Sequence, residues 1–304
     1  LIWLGLPATG DDSMAAKPYE SDSAFEARLR RRIRNLILVS TALLIALLFF
    51  FPVYLMFSSS FKSEGEIFAI PMHWVPHEFQ GLRQYERAFE ETKLERWYVN
   101  SLVIAAIQTI ATVFVGALAG YGFAKYRFPG RNLLFLFILS IMTVPFQILV
   151  IPMFVLVRQL GWHNTYAGII MPGLISAFGV FMMRQFAYNI PDELLDAARI
   201  DGASEFSIFR RIALPMLKPA AASLAIITFL FSWNNFLWPL VIAQNRDLVT
   251  LPVGLTYFSQ SLDREPLWAV AMAVSTMATI PVILLFVFFQ RYFIEGMMVS
   301  GIKG

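Results

Sequence analysis

Six stretches of mostly apolar residues, each about 20 or more long, recur along the chain at roughly 36–57, 97–122, 132–157, 166–187, 219–243 and 267–290. A helix needs about 20 such residues to cross the hydrocarbon core of a bilayer, where each backbone N–H and C=O must find a partner inside the protein. The pattern predicts an all-α, polytopic membrane protein with six transmembrane helices. Composition agrees, since 58% of residues are hydrophobic and 15% charged, which excludes an ordinary soluble domain. With no Cys and three His, disulfides and thiolate metal sites are excluded and a metal site on this chain is not expected. A net charge of +3 gives no reason to expect nucleic acid as a partner.

An even number of spans puts both termini on one side. That side carries 16 of the 24 Lys and Arg, including Arg28, Arg30, Arg31, Arg32 and Arg34 ahead of the first span, so the termini are expected in the cytoplasm. Four regions follow. Residues 1–34 form a polar, basic cytoplasmic arm, read as disordered or interfacial, whose first 13 residues precede Met14 and read as cloning-derived or as an extended start. Residues 35–96 hold the first span, an uncleaved anchor, and a small external cap; 97–290 hold the other five spans; 291–304 form a cytoplasmic tail.

The loop between the fourth and fifth spans, 188–218, breaks the apolar pattern with a run of charged residues. Pro191 suits a first helical turn, Asp192 and Glu193 favour its positive dipole end, and Gly202 can take the left-handed conformation that ends a helix. Ser204 is an expected N-cap for a second helix, ended by Pro215. The expected structure is a helix, a sharp turn and a helix. One reading is an amphipathic hairpin lying on lipid. The other is a rigid knob whose small-residue face, with Ala197 and Ala198, docks in a cytoplasmic partner.

No G-x-x-x-x-G-K-[ST] loop, G-x-S-x-G elbow or H-E-x-x-H pair occurs, so no catalytic residue is expected and ATP chemistry must come from elsewhere. His73 and His77 are spaced for one helical face, but Pro76 lies between them. Polar residues at membrane depth, Gln108, Gln147, Ser232, Asn234 and Asn235, must face another helix or an aqueous cavity. Trp233 and Trp238 flank the two Asn residues and offer aromatic faces of the kind a sugar uses. The competing reading is that the Trp residues pack and the amides join helices. Gly116 and Gly120 form a small-xxx-small pair expected to pack helices within the permease pair rather than to drive a homodimer. Six Pro residues, at 52, 145, 152, 172, 239 and 281, are expected to kink spans.

"DAARIDGASEFSIFRRIALP" resembles the EAA loop of bacterial ABC importer permeases, with Asp196 standing where the family usually has Glu. "FKSEGEIFAIPMHWVPHEFQGLRQYERAF", "AGYGFAKYRFPGR", "SWNNFLWPLV" and "EGMMVSGIKG" extend the resemblance to the carbohydrate, maltose-type branch. The resemblance implies a type I ABC importer permease fold in a bacterial inner or plasma membrane. It also implies a sister permease, two ATP-binding subunits that hold ATP and Mg, an extracytoplasmic solute-binding protein and a sugar substrate, this chain binding no cofactor. Asp196, Ala197, Ala198, Asp201, Gly202 and Ala203 would make the ATPase contact, Ile212, Leu214 and Pro215 would fix the loop to the membrane helices, and Gly301, Ile302, Lys303 and Gly304 would reach the ATPase dimer. Gln108, Gln147, Trp233, Asn234, Asn235 and Trp238 are the candidates for the solute path. Permeases of this fold for glycerol phosphate, peptide or polyamine are the near alternative. An ion-driven secondary transporter is the distant one, disfavoured because no acidic residue lies inside a span.

Overall fold

The computed structural model describes residues 19–259 and 266–301. The expected residues 1–13 and the tail residues Ile302, Lys303 and Gly304 lie outside that range. The described residues are helical throughout, and the chain forms two compact units divided after Leu55.

Most of the first unit is one helix, α1 (Tyr19–Ser59), which carries the Arg cluster and the first apolar stretch in one continuous element. The arm expected to be disordered or interfacial is therefore helical from Tyr19, because its Glu, Ala, Arg and Leu residues are good helix formers with no Gly or Pro among them.

In the second unit, the segment expected as a cap contains α2 (Glu64–Ile67) and α3 (Arg83–Glu91). It is organised by buried polar groups: Lys62 Nζ donates to the His73 carbonyl at 2.6 Å, and Glu66 accepts from the His77 N–H at 2.5 Å. Glu64 accepts from the Ala269 N–H at 2.9 Å, so the cap also partners the free start of the last helix.

Helix α4 (Leu94–Lys125) is long, apolar and free of Pro. Its residues Asn100, Ile104, Gln108, Thr112, Gly116, Gly120 and Ala124, all buried, fall every fourth position and so form one ridge. The third expected span is broken, with α5 (Arg131–Ile141) and α6 (Phe146–Gln159) meeting at 99°. Pro145 stands at the break and disfavours helical backbone at the residue before it. The fourth consists of α7 (Tyr166–Ile170), a tight turn over Met171–Gly173 and α8 (Ala177–Ala187), bent by 40°.

The 188–218 loop holds α9 (Asp192–Ile200) and α10 (Glu205–Ile208), which continues through a five-residue π turn, Phe209–Ala213, into α11 (Leu214–Met216). Pro215 has no N–H to give the carbonyl four residues back, and the Leu214 N–H instead reaches Phe209. The chain then bends 73° into α12 (Lys218–Trp233). The fifth span expected at 219–243 is thus interrupted at Asn234, whose side chain donates back to the Leu230 carbonyl at 2.8 Å, and resumes as α13 (Leu237–Ile242). After α14 (Leu251–Ser259), α15 (Trp268–Gly301) carries the sixth span and continues as helix through most of the stretch read as a tail. Among the described residues three helices are long and apolar enough to cross a membrane, and three bent pairs satisfy the same test.

The Gly116 and Gly120 pair packs α4 on α8 within this chain. A Cβ at Gly120 would lie 2.6 Å from the Arg184 backbone nitrogen, and one at Gly116 would lie 3.2 Å from the Gly179 backbone. Gly120→Ala should therefore destabilise the second unit by roughly 1–3 kcal/mol through overpacking. Gly122→Ala, which meets nothing within 4 Å, should leave the thermal midpoint in detergent unchanged or slightly raised. Equal midpoints for the two variants would contradict this packing.

Candidate functional site

Helix α9 is built to be held from one side and offered from the other. Pro191 is its N-cap rather than a residue of its first turn. Leu195, 1% exposed, anchors it among Tyr121, Met183, Ile208 and Phe209. The opposite face shows Leu194, Asp196, Ala197 and Ile200 to the exterior, with Ile200 86% exposed. Gly202 turns the chain with φ +80°, its N–H bonded to Arg199 and the Ala203 N–H to Ala198. Ser204 caps α10 through a 3.3 Å bond from the Ser207 N–H.

Of the residues the resemblance assigns to an ATPase contact, Asp196, Ala197, Asp201 and Gly202 are exposed. Ala198 and Ala203 are half-buried against the core and so do not belong to the free face. Ile212 and Leu214 pack on the same core, as a membrane anchor requires, whereas Pro215 is exposed and acts on backbone geometry instead. Gly301 ends α15, and the other three tail candidates are outside the described residues.

The sequence reading missed the groups that lock the loop. Arg199 donates to Glu205 through Nε at 2.8 Å and to Asp196 at 2.7 Å, closing the turn around Gly202. Tyr126, just past the end of α4, donates to Glu205 at 2.5 Å. Lys125, its side chain 5% exposed, donates to the Ile190 carbonyl and to Asp192, each at 2.6 Å. The bonds from Arg199 and then Tyr126 hold the Glu205 carboxyl below its ordinary value, and the Lys125 bond does the same for Asp192. Burial, followed by the carboxylate it faces, pushes the Tyr126 phenol up. Their signal is visible only as "KY" and "E" at distant positions, with nothing local to pair them.

On the membrane side a cavity of about 1200 Å³ lies among α4, α6, α8, α12 and α13. Gln147, Asn234, Asn235 and Trp238 line it, together with Phe146, Phe231 and Phe236. Gln108 also reaches its wall, but both ends of its amide are engaged: Nε2 donates to the Ile170 carbonyl at 3.0 Å, and Oε1 accepts from Ser232 at 2.5 Å. It joins helices. Trp233 is a correction to the candidate path: it is buried away from the cavity, stacks on Phe229 and donates to the Ala278 carbonyl at 3.1 Å. Trp238 presents ring surface only, since its N–H is bonded to the Gly168 carbonyl. Among the described residues, the amides of Gln147 and Asn235 make no hydrogen bond.

Residues 112–299 match the family described as binding-protein-dependent transport system inner membrane component. The chain belongs to that family. This inner membrane component is 37% identical over 264 residues to the arabinooligosaccharides transport system permease protein AraQ of Bacillus subtilis, covering 86% of this chain and 93% of the relative. It is 33% identical to the lactose transport system permease protein LacG of Rhizobium radiobacter, over 90% and 98% of the two chains. It is also 33% identical to the sn-glycerol-3-phosphate transport system permease protein UgpE of Pectobacterium atrosepticum, over 82% and 91%. A chain of a bacterial ABC transporter involved in import of the acidic polysaccharide alginate shares the fold with TM-score 0.75 at 23% identity, over 86% of this permease and 97% of that chain.

The ionic clasp of the permease loop has a pH signature. Because the folded-state value of Glu205 is depressed from 4.5, the clasp contributes stability above that pH and loses it as pH falls through the lower folded value. Glu205 is half-exposed, so the contribution is under about 1 kcal/mol. Hydrogen exchange across α9 and α10, corrected for intrinsic rates, should speed up on acidification to about pH 3, and should already be fast at neutral pH in Glu205→Gln. Wild-type protection in that variant would contradict the assignment.

Proposed function

We propose that this inner membrane component is the permease subunit of an ATP-driven sugar importer, forming the translocation path with a sister permease and coupled to partner ATPases through the 188–218 loop. The observation that carries this reading is the division of α9 into a fully gripped face and a free one. A helix lying on lipid would turn its apolar face outward. Here Leu195 goes into the protein's own core, while the free face carries, beside Leu194 and Ile200, the carboxylates of Glu193 and Asp201 in addition to the ion-paired Asp192 and Asp196, and an anionic lipid surface would repel the excess negative charge. A protein cleft suits it better: Ala197 admits close backbone approach, and Ile200 supplies an apolar contact.

The sugar assignment is supported by the names of the relatives and by the cavity, where aromatic rings and two unengaged amides meet. We place Gln147 and Asn235 on the solute path, with Asn234 and Trp238 beside them. In this reading ATP and Mg belong to the ATPase subunits, an extracytoplasmic binding protein delivers the solute, and the termini lie in the cytoplasm. ATP binding closes the ATPases, the loop moves with them, and the paired permeases open outward.

Two sets of variants test the two halves of the proposal. Ala197→Arg and Ile200→Glu alter only the free face, so both should insert and fold normally yet lose co-purification with the ATPase subunit. Retained ATPase and retained uptake would overturn the docking reading. Along the path, Gln147→Ala and Asn235→Ala should cut uptake in a fully assembled complex. Trp233→Ala, which opens a core cavity costing roughly 3–5 kcal/mol, should instead reduce the yield of folded protein. The opposite pattern would move the path to Trp233.

A further inference from the structure

Resting on the docking reading, we infer that Lys125 and Tyr126 are positioning residues that latch the loop to the cytoplasmic end of α4, making α4 the rod that carries loop motion to the cavity. The loop is joined by the chain to α8 on one side and to α12 on the other, and neither junction is a continuous straight helix. Residues Tyr188–Pro191 between α8 and α9 are non-helical, and α11 meets α12 at a 73° bend. The latch bypasses both. Lys125 grips the start of α9 through the Ile190 carbonyl and Asp192. Tyr126 grips the start of α10 through Glu205, which Arg199 ties back to the end of α9. Two adjacent residues of one helix end therefore hold both arms of the loop.

From that end α4 runs without Pro to Gln108, about 25 Å at 1.5 Å per residue. On the way, Gly116 and Gly120 bring it so close to α8 that an added Cβ would lie 3.2 Å and 2.6 Å from the α8 backbone. At Gln108 it engages Ser232 of α12 and the carbonyl of Ile170, and that junction forms part of the cavity wall. A displacement of α9 is thereby delivered to the wall by a stiff helix.

The chain has no Cys, so spin labels can be placed without background. Labels at Phe114, on an exposed face of α4, and at Glu193, on exposed α9, would be followed by pulsed electron resonance in the assembled complex, nucleotide-free and trapped with ATP and vanadate. A single distance that is the same in both states is expected. Lys125→Met should add a second, longer population and lower uptake per ATP hydrolysed severalfold with the ATPase still bound, and Lys125→Arg should restore both. Asp192→Asn breaks the same pair from its exposed side, where folding is not at risk, and should reproduce the effect. A wild-type distance that changes on trapping, or an Asp192→Asn complex with unchanged distance and coupling, would overturn the latch alone. Failure of the wild type to retain an ATPase would overturn the docking reading, and the latch with it.

Discussion

A helix broken inside a bilayer leaves carbonyls that no water can reach, and the rest of this structure depends on α4 and its neighbours supplying the missing donors. Gln108 donates to Ile170, Thr112 to Leu174, and Asn100 to both Asp247 and Val249. Trp238 does the same for Gly168. Gly168, Ile170 and Leu174 lie at or near the end of a helix, where the intrahelical ladder stops, and Asp247 and Val249 lie in the loop between α13 and α14. One uninterrupted helix, α4, carries the polar side chains that partner the carbonyls freed after α7.

That arrangement explains why α4 is polar where it is and small where it is. Toward its C-terminal end the ridge changes from amides and hydroxyls to Gly116, Gly120 and Ala124, and there the need is close packing on α8 rather than donors. The helix then ends in Lys125 and Tyr126, the residues that hold the loop. One element thus supports the 243–250 loop, the cavity wall and the 188–218 loop.

Much of the loop was legible in the sequence, because its signals are local. Gly202 had to be left-handed, Ser204 had to cap, and Asp192 with Glu193 marked a helix start. The ionic clasp was not legible, since Tyr126 and Glu205 are far apart along the chain and neither is unusual in its own surroundings. The path candidates divide in the same way. Hydropathy showed which amides lie at membrane depth, but Gln108 and Asn235 look alike until the bends show that one meets carbonyls and the other meets space. Trp233 and Trp238 are likewise five residues apart and bracket a break, which turns one into a core and leaves the other on the cavity.

By itself the sequence determined the solvent, the number of apolar stretches and the punctuation of the loop, since each follows from the composition of a short window. It also showed that no G-x-x-x-x-G-K-[ST] loop is present, because that motif is contiguous. Only the tertiary structure decided that the third span folds at 99° and that the fifth begins as part of the loop. It alone decided which side of α9 is free and which helix receives the loop. Those outcomes depend on relative rotations and long-range hydrogen bonds between segments 60 to 80 residues apart, a distance over which periodicity carries no information.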